Sequence, residues 1–218
     1  MTGNNFLAPI QNKLPQEFRD VTAYPVQQAD RIYNVDYASE INATCNFYAL
    51  HQAEFSTKPM DVSHYNLFVI DKRDKMISSP FFMSSDVILQ NGTTKEVKES
   101  FFSMDAKILE RITLFPSIFT TVNSGQGTTD EGHRALYGRV EKIERQEHGY
   151  LIHWGCMRIW STSNSVPFIS QMELINHAGS FGLGVAPCSN ELDDVHWAIK
   201  KLNVIEALSE IGIDAMVI

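Results

Sequence analysis

Residues 191 to 208 read ELDDVHWAIKKLNVIEAL, and the structure assigned to this stretch decides how the chain closes. Asn190, Asp193 and Asp194 are residue types that start helices, where orphan backbone N–H groups and the dipole favour side-chain oxygens and negative charge. Counted from Trp197, the residues Trp197, Lys201, Val204, Leu208 and Ile211 fall near one face, with Ala198, Leu202 and Ile205 beside them. The pattern predicts an amphipathic C-terminal helix over 193–211, pegged to its domain by Trp197, with His196 orienting its start. Each large apolar side chain buried this way contributes about 1.5–3 kcal/mol.

The partner of that helix is sought upstream, in ALYGRVEKIERQEHGYLIHWGCMRIWS, residues 135 to 161. This reads as two strands joined at Glu147-His148-Gly149. Val140 and Ile143 stand three apart, which breaks strict alternation and predicts a β-bulge. Tyr150, Ile152 and Trp154 share one face of the second strand. A curved hairpin of this kind belongs to small barrels. Before it, NSGQGTTDEG (123–132) has loop composition. Before that, SFFSMDAKILERITLFPSIF (100–119) predicts a short helix. Ser103 is its cap, Asp105 lies in the first turn, Ile108, Leu109, Ile112 and Leu114 form the apolar stripe, and Pro116 stops it.

Towards the N-terminus, HYNLFVID (64–71) is a compact apolar strand followed by the solvated turn DKRDK (71–75). Phe81, Phe82 and Met83 beside Pro80 suit an edge strand. Asn91-Gly92 carries the strongest hairpin signal in the chain, between two short strands. Residues 1–40 show no clean period and read as an extended arm anchored by Phe6, Leu7, Phe18 and Tyr24. The fold class expected is α+β and β-rich, with a small curved sheet or partly open barrel in the C-terminal half and a C-terminal amphipathic helix. The expected division is 1–114, a β-rich region with the arm and one short helix, and 115–218, a barrel-like domain closed by the helix.

Composition bounds the function. The chain has 218 residues, 44% hydrophobic and 20% charged, enough to bury a sizeable core. Its 18 basic and 26 acidic side chains leave a formal charge of −8, and its basic residues are not clustered, so non-specific nucleic-acid binding is not expected. No apolar run is long enough for a membrane span and no signal-peptide pattern opens the chain, so the expected location is cytoplasmic. Cys45, Cys156 and Cys188 are widely spaced and form no CxxC pair. They read as small buried hydrophobes, and neither a metal nor a cofactor is expected.

Four pieces carry a resemblance: FPSIF (115–119), LYGRVEKIE (136–144), HGYLIHW (148–154) and ELDDVHWAIKKLNVIEALSEIGI (191–213). Together they resemble a domain of uncharacterised bacterial proteins that ends in an EL...HWAIK helix. The resemblance implies a boundary near 115 and brings no activity with it. In that pattern the residues before the histidine read more like Asn-Arg-Thr. Here Asp193-Asp194-Val195 puts acid in their place, which argues against phosphate binding at that point.

Candidate sites follow from residue chemistry. His196 is a candidate acid/base with Lys200, four residues on, as its electrostatic helper. Asp130, Glu131, His133 and Arg134 gather acid, imidazole and guanidinium in the 128–134 loop. The aromatic group Tyr150, Trp154 and Trp160 can stack a base or ligand, or fill a core. GSFGLG (179–184) lacks the order of a phosphate loop and reads as close backbone approach. The expected function is a non-enzymatic binding or adaptor module of a bacterial cytosolic system, contacting a protein partner or small ligand. The alternative is a hydrolase of a nucleotide or nucleic acid, with antiviral defence as a setting, using the 128–134 loop and His196.

Overall fold

The computed structural model describes residues 58–71, 79–129, 133–157, 159–161 and 168–215. The expected N-terminal arm, most of the DKRDK turn and Cys45 lie outside them. Within the described residues the chain is mixed α+β. Its main sheet has seven strands in the order β10-β1-β3-β4-β5-β2, with β7 paired to β4. These are β1 (Tyr65–Ile70), β2 (Phe81–Ser84), β3 (Pro116–Thr121), β4 (Arg134–Gln146), β5 (Gly149–Cys156), β7 (Phe168–Ser170) and β10 (His196–Lys200). The sheet is open, ending at β10 and β2. β1 and β3 run parallel and every other pairing is antiparallel. Two further two-stranded sheets pair β6 (Ile159–Ser161) with β11 (Ile213–Ala215), and β8 (Val185–Ala186) with β9 (Ser189–Asn190).

Helices cover both faces. On one side α1 (Lys95–Phe101) and α2 (Ala106–Ile112) bury Val97, Phe101 and Ile112 against Phe68, Phe119, Trp154, Trp197 and Ile199. On the other, α3 (Gln171–Asn176) and α4 (Val204–Glu210) bury Leu174, Val204, Ala207 and Leu208 against Leu67, Val69, Ile118, Tyr137 and Ala198. All six residues of β1 and all five of β10 are therefore buried. A strand sandwiched between two layers has no solvent face, so its polar residues, Asn66, His196 and Lys200, must find partners inside the fold.

That burial explains the main correction. The helix expected over 193–211 is a strand followed by a shorter helix. His196–Lys200 pair antiparallel with β1, Val69 opposite His196 and Tyr65 opposite Lys200. The helix begins only after Asn203, whose Oδ1 accepts from Ile205 N at 3.1 Å. Five residues buried on both faces carry no period that separates strand from helix, and the vacant edge of β1 decides for strand. Trp197 is buried as expected, but as a strand residue and not as the peg of a helix. It is fully buried, its ring stacks on Phe68 at 5.0 Å, and its Nε1 donates to Asn66 Oδ1 at 3.3 Å.

The hairpin holds in detail. β4 and β5 turn between Gln146 and Gly149, and the register shifts between Val140 and Lys142, where the bulge was expected. β2 is the edge strand. Asn91-Gly92, however, makes no hairpin. Ser85–Val87 form a 3-10 turn, residues 88–94 run irregularly along β10, and the stretch expected to be a strand from 95 onwards is α1. Thr94 caps α1, accepting from Val97 N at 3.4 Å. Asp105, not Ser103, is the cap of α2, accepting from Lys107 N and Ile108 N at 3.0 Å each, while Ser103 Oγ bonds the Asp105 carboxylate. Pro116 opens β3, where a missing N–H costs nothing in the ladder. Cys156 is buried as expected, but Cys188 is exposed beside the β8–β9 turn. The boundary expected at 115 falls inside this architecture, since β1 and β2 from before it pair with β3, β5 and β10 from after it.

Candidate functional site

β10 alternates its side chains between the two layers. Trp197 and Ile199 enter one layer and Ala198 the other, so His196 and Lys200 share the Ala198 face. Between them lies Glu191, from the 3-10 turn Glu191–Asp193 that precedes the strand. Glu191 Oε1 is 3.2 Å from His196 Nε2, and Oε2 accepts from Lys200 Nζ at 2.7 Å and from Gly184 N at 2.9 Å. His196 Nδ1 is 2.8 Å from the Asp194 carbonyl, which can only accept, so Nδ1 carries a proton. Lys200 Nζ also donates to Gly182 O at 2.9 Å. The side chains of His196, Glu191 and Lys200 are 1%, 4% and 7% exposed.

His196 and Lys200 thus come together as expected, through strand alternation and a shared carboxylate, not through a helical turn. Burial alone would raise the Glu191 carboxyl. The His196 hydrogen bond, the Lys200 ammonium and Gly184 N–H outweigh it and hold the group below the usual carboxylate range. Burial lowers Lys200, with Glu191 offsetting part of that. Gly92 closes the cluster from the other side. Its φ is +67°, and a Cβ there would stand 1.7 Å from Glu191 Oε1. The GSFGLG loop contributes two backbone contacts, from Gly182 and Gly184, which is the close approach its glycines suggest. The side chains of Glu191, His196 and Lys200 are all spent on protein partners inside the fold.

Beside this cluster, at the carboxyl end of β3, the 123–127 loop faces residues 189–194 across a polar groove of about 520 Å³. Asn123, only 5% exposed, builds its wall. Asn123 Nδ2 donates to Asn190 Oδ1 at 2.9 Å and to Asp193 Oδ1 at 2.6 Å. Asp193 Oδ1 also accepts from Gly127 N at 2.7 Å, and its Oδ2 from Asn190 N at 2.8 Å. Burial is the largest influence on Asp193 and would raise it. Its bonds from Asn123, Gly127 and Asn190 together leave it lowered. The groove-lining residues Asn123 and Asn190 each keep one buried atom without a partner, Asn123 Oδ1 and Asn190 Nδ2. Leaving such an atom unpaired costs about 1–3 kcal/mol. Asp194 lines the same groove with an exposed carboxylate.

The other candidates are dispersed. Asp130 and Glu131 lie outside the described residues. His133 Nε2 is 2.9 Å from Thr121 Oγ1, and the Arg134 guanidinium lies over the Phe168 ring at 4.7 Å. Ala135, Thr120, Val69 and His196 are successive register partners across four strands. At about 4.8 Å per strand step, the His196 row lies about 14 Å from the start of β4. His133 and His196 are not brought together. Tyr150 and Trp154 are core residues, Trp154 stacking on Phe119 at 4.3 Å and Tyr150 meeting Trp197 edge-on at 6.3 Å. Trp160 sits on β6 opposite Asp214, its side chain outside the described part.

Glu191, Asn123 and Asn190 went unread as site residues. Asn190-x-x-Asp193 has capping-box spacing, and both halves of the box form, so the local signal was present. No helix among the described residues is long and apolar enough to cross a membrane. In comparisons with protein-family models, curated proteins and solved structures, nothing matches this chain.

Proposed function

We propose that this chain is a non-enzymatic binding module that holds a small polar ligand in the groove between residues 123–127 and 189–194. The observation that carries the reading is Asn123. Its amide is immobilised by Asn190 and Asp193 at one end and unpartnered at the other. With that amide fixed in its wall, a groove of about 520 Å³ has the size and preorganisation of a ligand site. The Glu191 cluster supports binding over catalysis, because His196 and Lys200 are closed off behind Gly92 and the 182–184 loop. The hydrolase alternative finds less support, since His196 on β10 and His133 at the start of β4 are separated by two strands.

The test is a screen of small polar fragments against isotope-labelled protein, read by amide chemical shifts. Ligands are expected to perturb Asn123, Gly125, Ser189 and Asn190 together, and a Ser189→Trp variant that fills the groove is expected to lose the response. A complete absence of fragments acting on these residues refutes the reading.

A further inference from the structure

Asn91-Gly92 forms no hairpin, and it sits where a covalent change would reach the Glu191 cluster. Asn91 is the one asparagine of the chain that is followed by glycine. Both residues are exposed, in the irregular run between the 3-10 turn Ser85–Val87 and α1. Among the described residues no group bonds to the Asn91 side chain or to Gly92 N. A glycine in second place leaves its backbone nitrogen without a side chain in the way, and that nitrogen reaches the asparagine Cγ through a five-membered ring. We propose that Asn91-Gly92 is a self-modifying site, whose conversion to isoaspartate lengthens the main chain beside Gly92 and loosens the Glu191–His196–Lys200 cluster.

The step needs only water. Gly92 N gives its proton to solvent, and its electron pair forms a bond to Asn91 Cγ. The Cγ–Nδ2 bond breaks, and Nδ2 takes up a proton and leaves as ammonia. Water then opens the resulting imide at one of its two carbonyls and returns a proton to the nitrogen. Attack at the side-chain carbonyl leaves aspartate in an ordinary main chain. Attack at the main-chain carbonyl leaves isoaspartate, in which Cβ and Cγ carry the chain and a carboxylate hangs from Cα. Nothing is oxidised or reduced.

The surroundings decide what the longer linkage does. Leu89 N donates to Trp197 O at 2.8 Å, and Thr93 Oγ1 accepts from Ile199 N at 3.2 Å. The segment is therefore tied to β10 on both sides of the modified bond, and an inserted methylene must displace Gly92. Inward there is no room, since even a Cβ on Gly92 would stand 1.7 Å from Glu191 Oε1 and 2.9 Å from Lys200 Nζ. An inward shift drives the Glu191 carboxylate off Gly184 N, and an outward shift uncovers the cluster and draws Thr93 from Ile199.

The experiment ages the full chain in mildly alkaline buffer, where loss of the amide proton is favoured, beside a synthetic peptide of residues 88–95. Peptide mapping by mass spectrometry, with enzymatic methylation of isoaspartate, follows the product. Asn91 is expected to convert ahead of every other asparagine in the chain. Amide hydrogen exchange reads the consequence. In the isoaspartate fraction the Gly184 N–H, bonded to the Glu191 carboxylate, is expected to exchange about tenfold faster or more, the weight of a hydrogen bond to a charged group. Faster exchange at Gly184 or Ile199 supports the coupling, and unchanged exchange at both overturns it. Asn91→Asp adds the charge without lengthening the chain and should keep the exchange of the fresh protein. If it instead matches the aged protein, charge and not linkage is at work and the proposal is overturned. Asn91→Gln is expected to stay unmodified and to hold its urea midpoint through ageing. An Asn91 that survives intact while the peptide converts overturns the proposal outright.

Discussion

Glu191 is the residue on which the interior charge of this protein balances. It receives His196, Lys200 and Gly184 in a volume from which water is nearly excluded. A buried pair of this kind is weak evidence for net stability, but removing one partner strands the other. Glu191→Gln leaves the Lys200 ammonium with Gly182 O and a neutral amide. It is expected to cost about 3–5 kcal/mol in a urea melt. The double change Glu191→Leu with Lys200→Met should recover part of that loss, since no unpaired charge remains. Gly92→Ala attacks the same place from outside. With φ at +67° and Glu191 Oε1 1.7 Å from the added Cβ, it should destabilise by more than about 1 kcal/mol.

At the scale of elements, β10 shows how context settles an ambiguous segment. Trp197→Ala removes a fully buried ring from a stack with Phe68 and is expected to cost about 3–5 kcal/mol. His196→Ala, at the strand's end, should cost less. β4 carries a bulge. Glu141 is the extra residue between Val140 and Lys142, and deleting it leaves Lys142 opposite His153 and Ile143 opposite Ile152 in unbroken alternation. That variant should keep its register and a cooperative melt. The helices are held more locally. Asp105→Ala takes the acceptor from two backbone N–H groups of α2 and should cost about 1 kcal/mol.

For the whole molecule, acid is the informative variable. Glu191 and Asp193 both ionise more readily in the fold than in the open chain. The unfolded state therefore binds more protons as pH falls, and stability falls with it. Their contribution is complete above the ordinary carboxylate range and is lost as pH drops through the depressed folded values. The urea midpoint should decline between about pH 5 and about pH 3, and less steeply in Glu191→Gln. The formal charge of −8 bears on partners at the same scale. No binding to random duplex DNA is expected at about 0.15 M salt, and an anisotropy titration checks it.

Much was legible in the chain because it is written in local chemistry. Turn residues, a broken alternation at Val140 and Ile143, and an apolar run ending at Ile70 locate β4, β5 and β1 within the sequence alone. The signal for the last helix was also local, in Asn203-x-x-Glu206, though the longer apolar stripe obscured it. What remained for the tertiary structure was every feature made by pairing across distance. HWAIK is a strand because β1 offers an unfilled edge and both its faces are covered, which no periodicity can express. Glu191 meets His196 and Lys200 because a strand puts alternate residues on one face, and Asn123 meets Asn190 because two loops close at one end of the sheet. Hydrogen-bond partners 67 residues apart leave no mark in local sequence, and the groove they frame exists only once the sheet has formed.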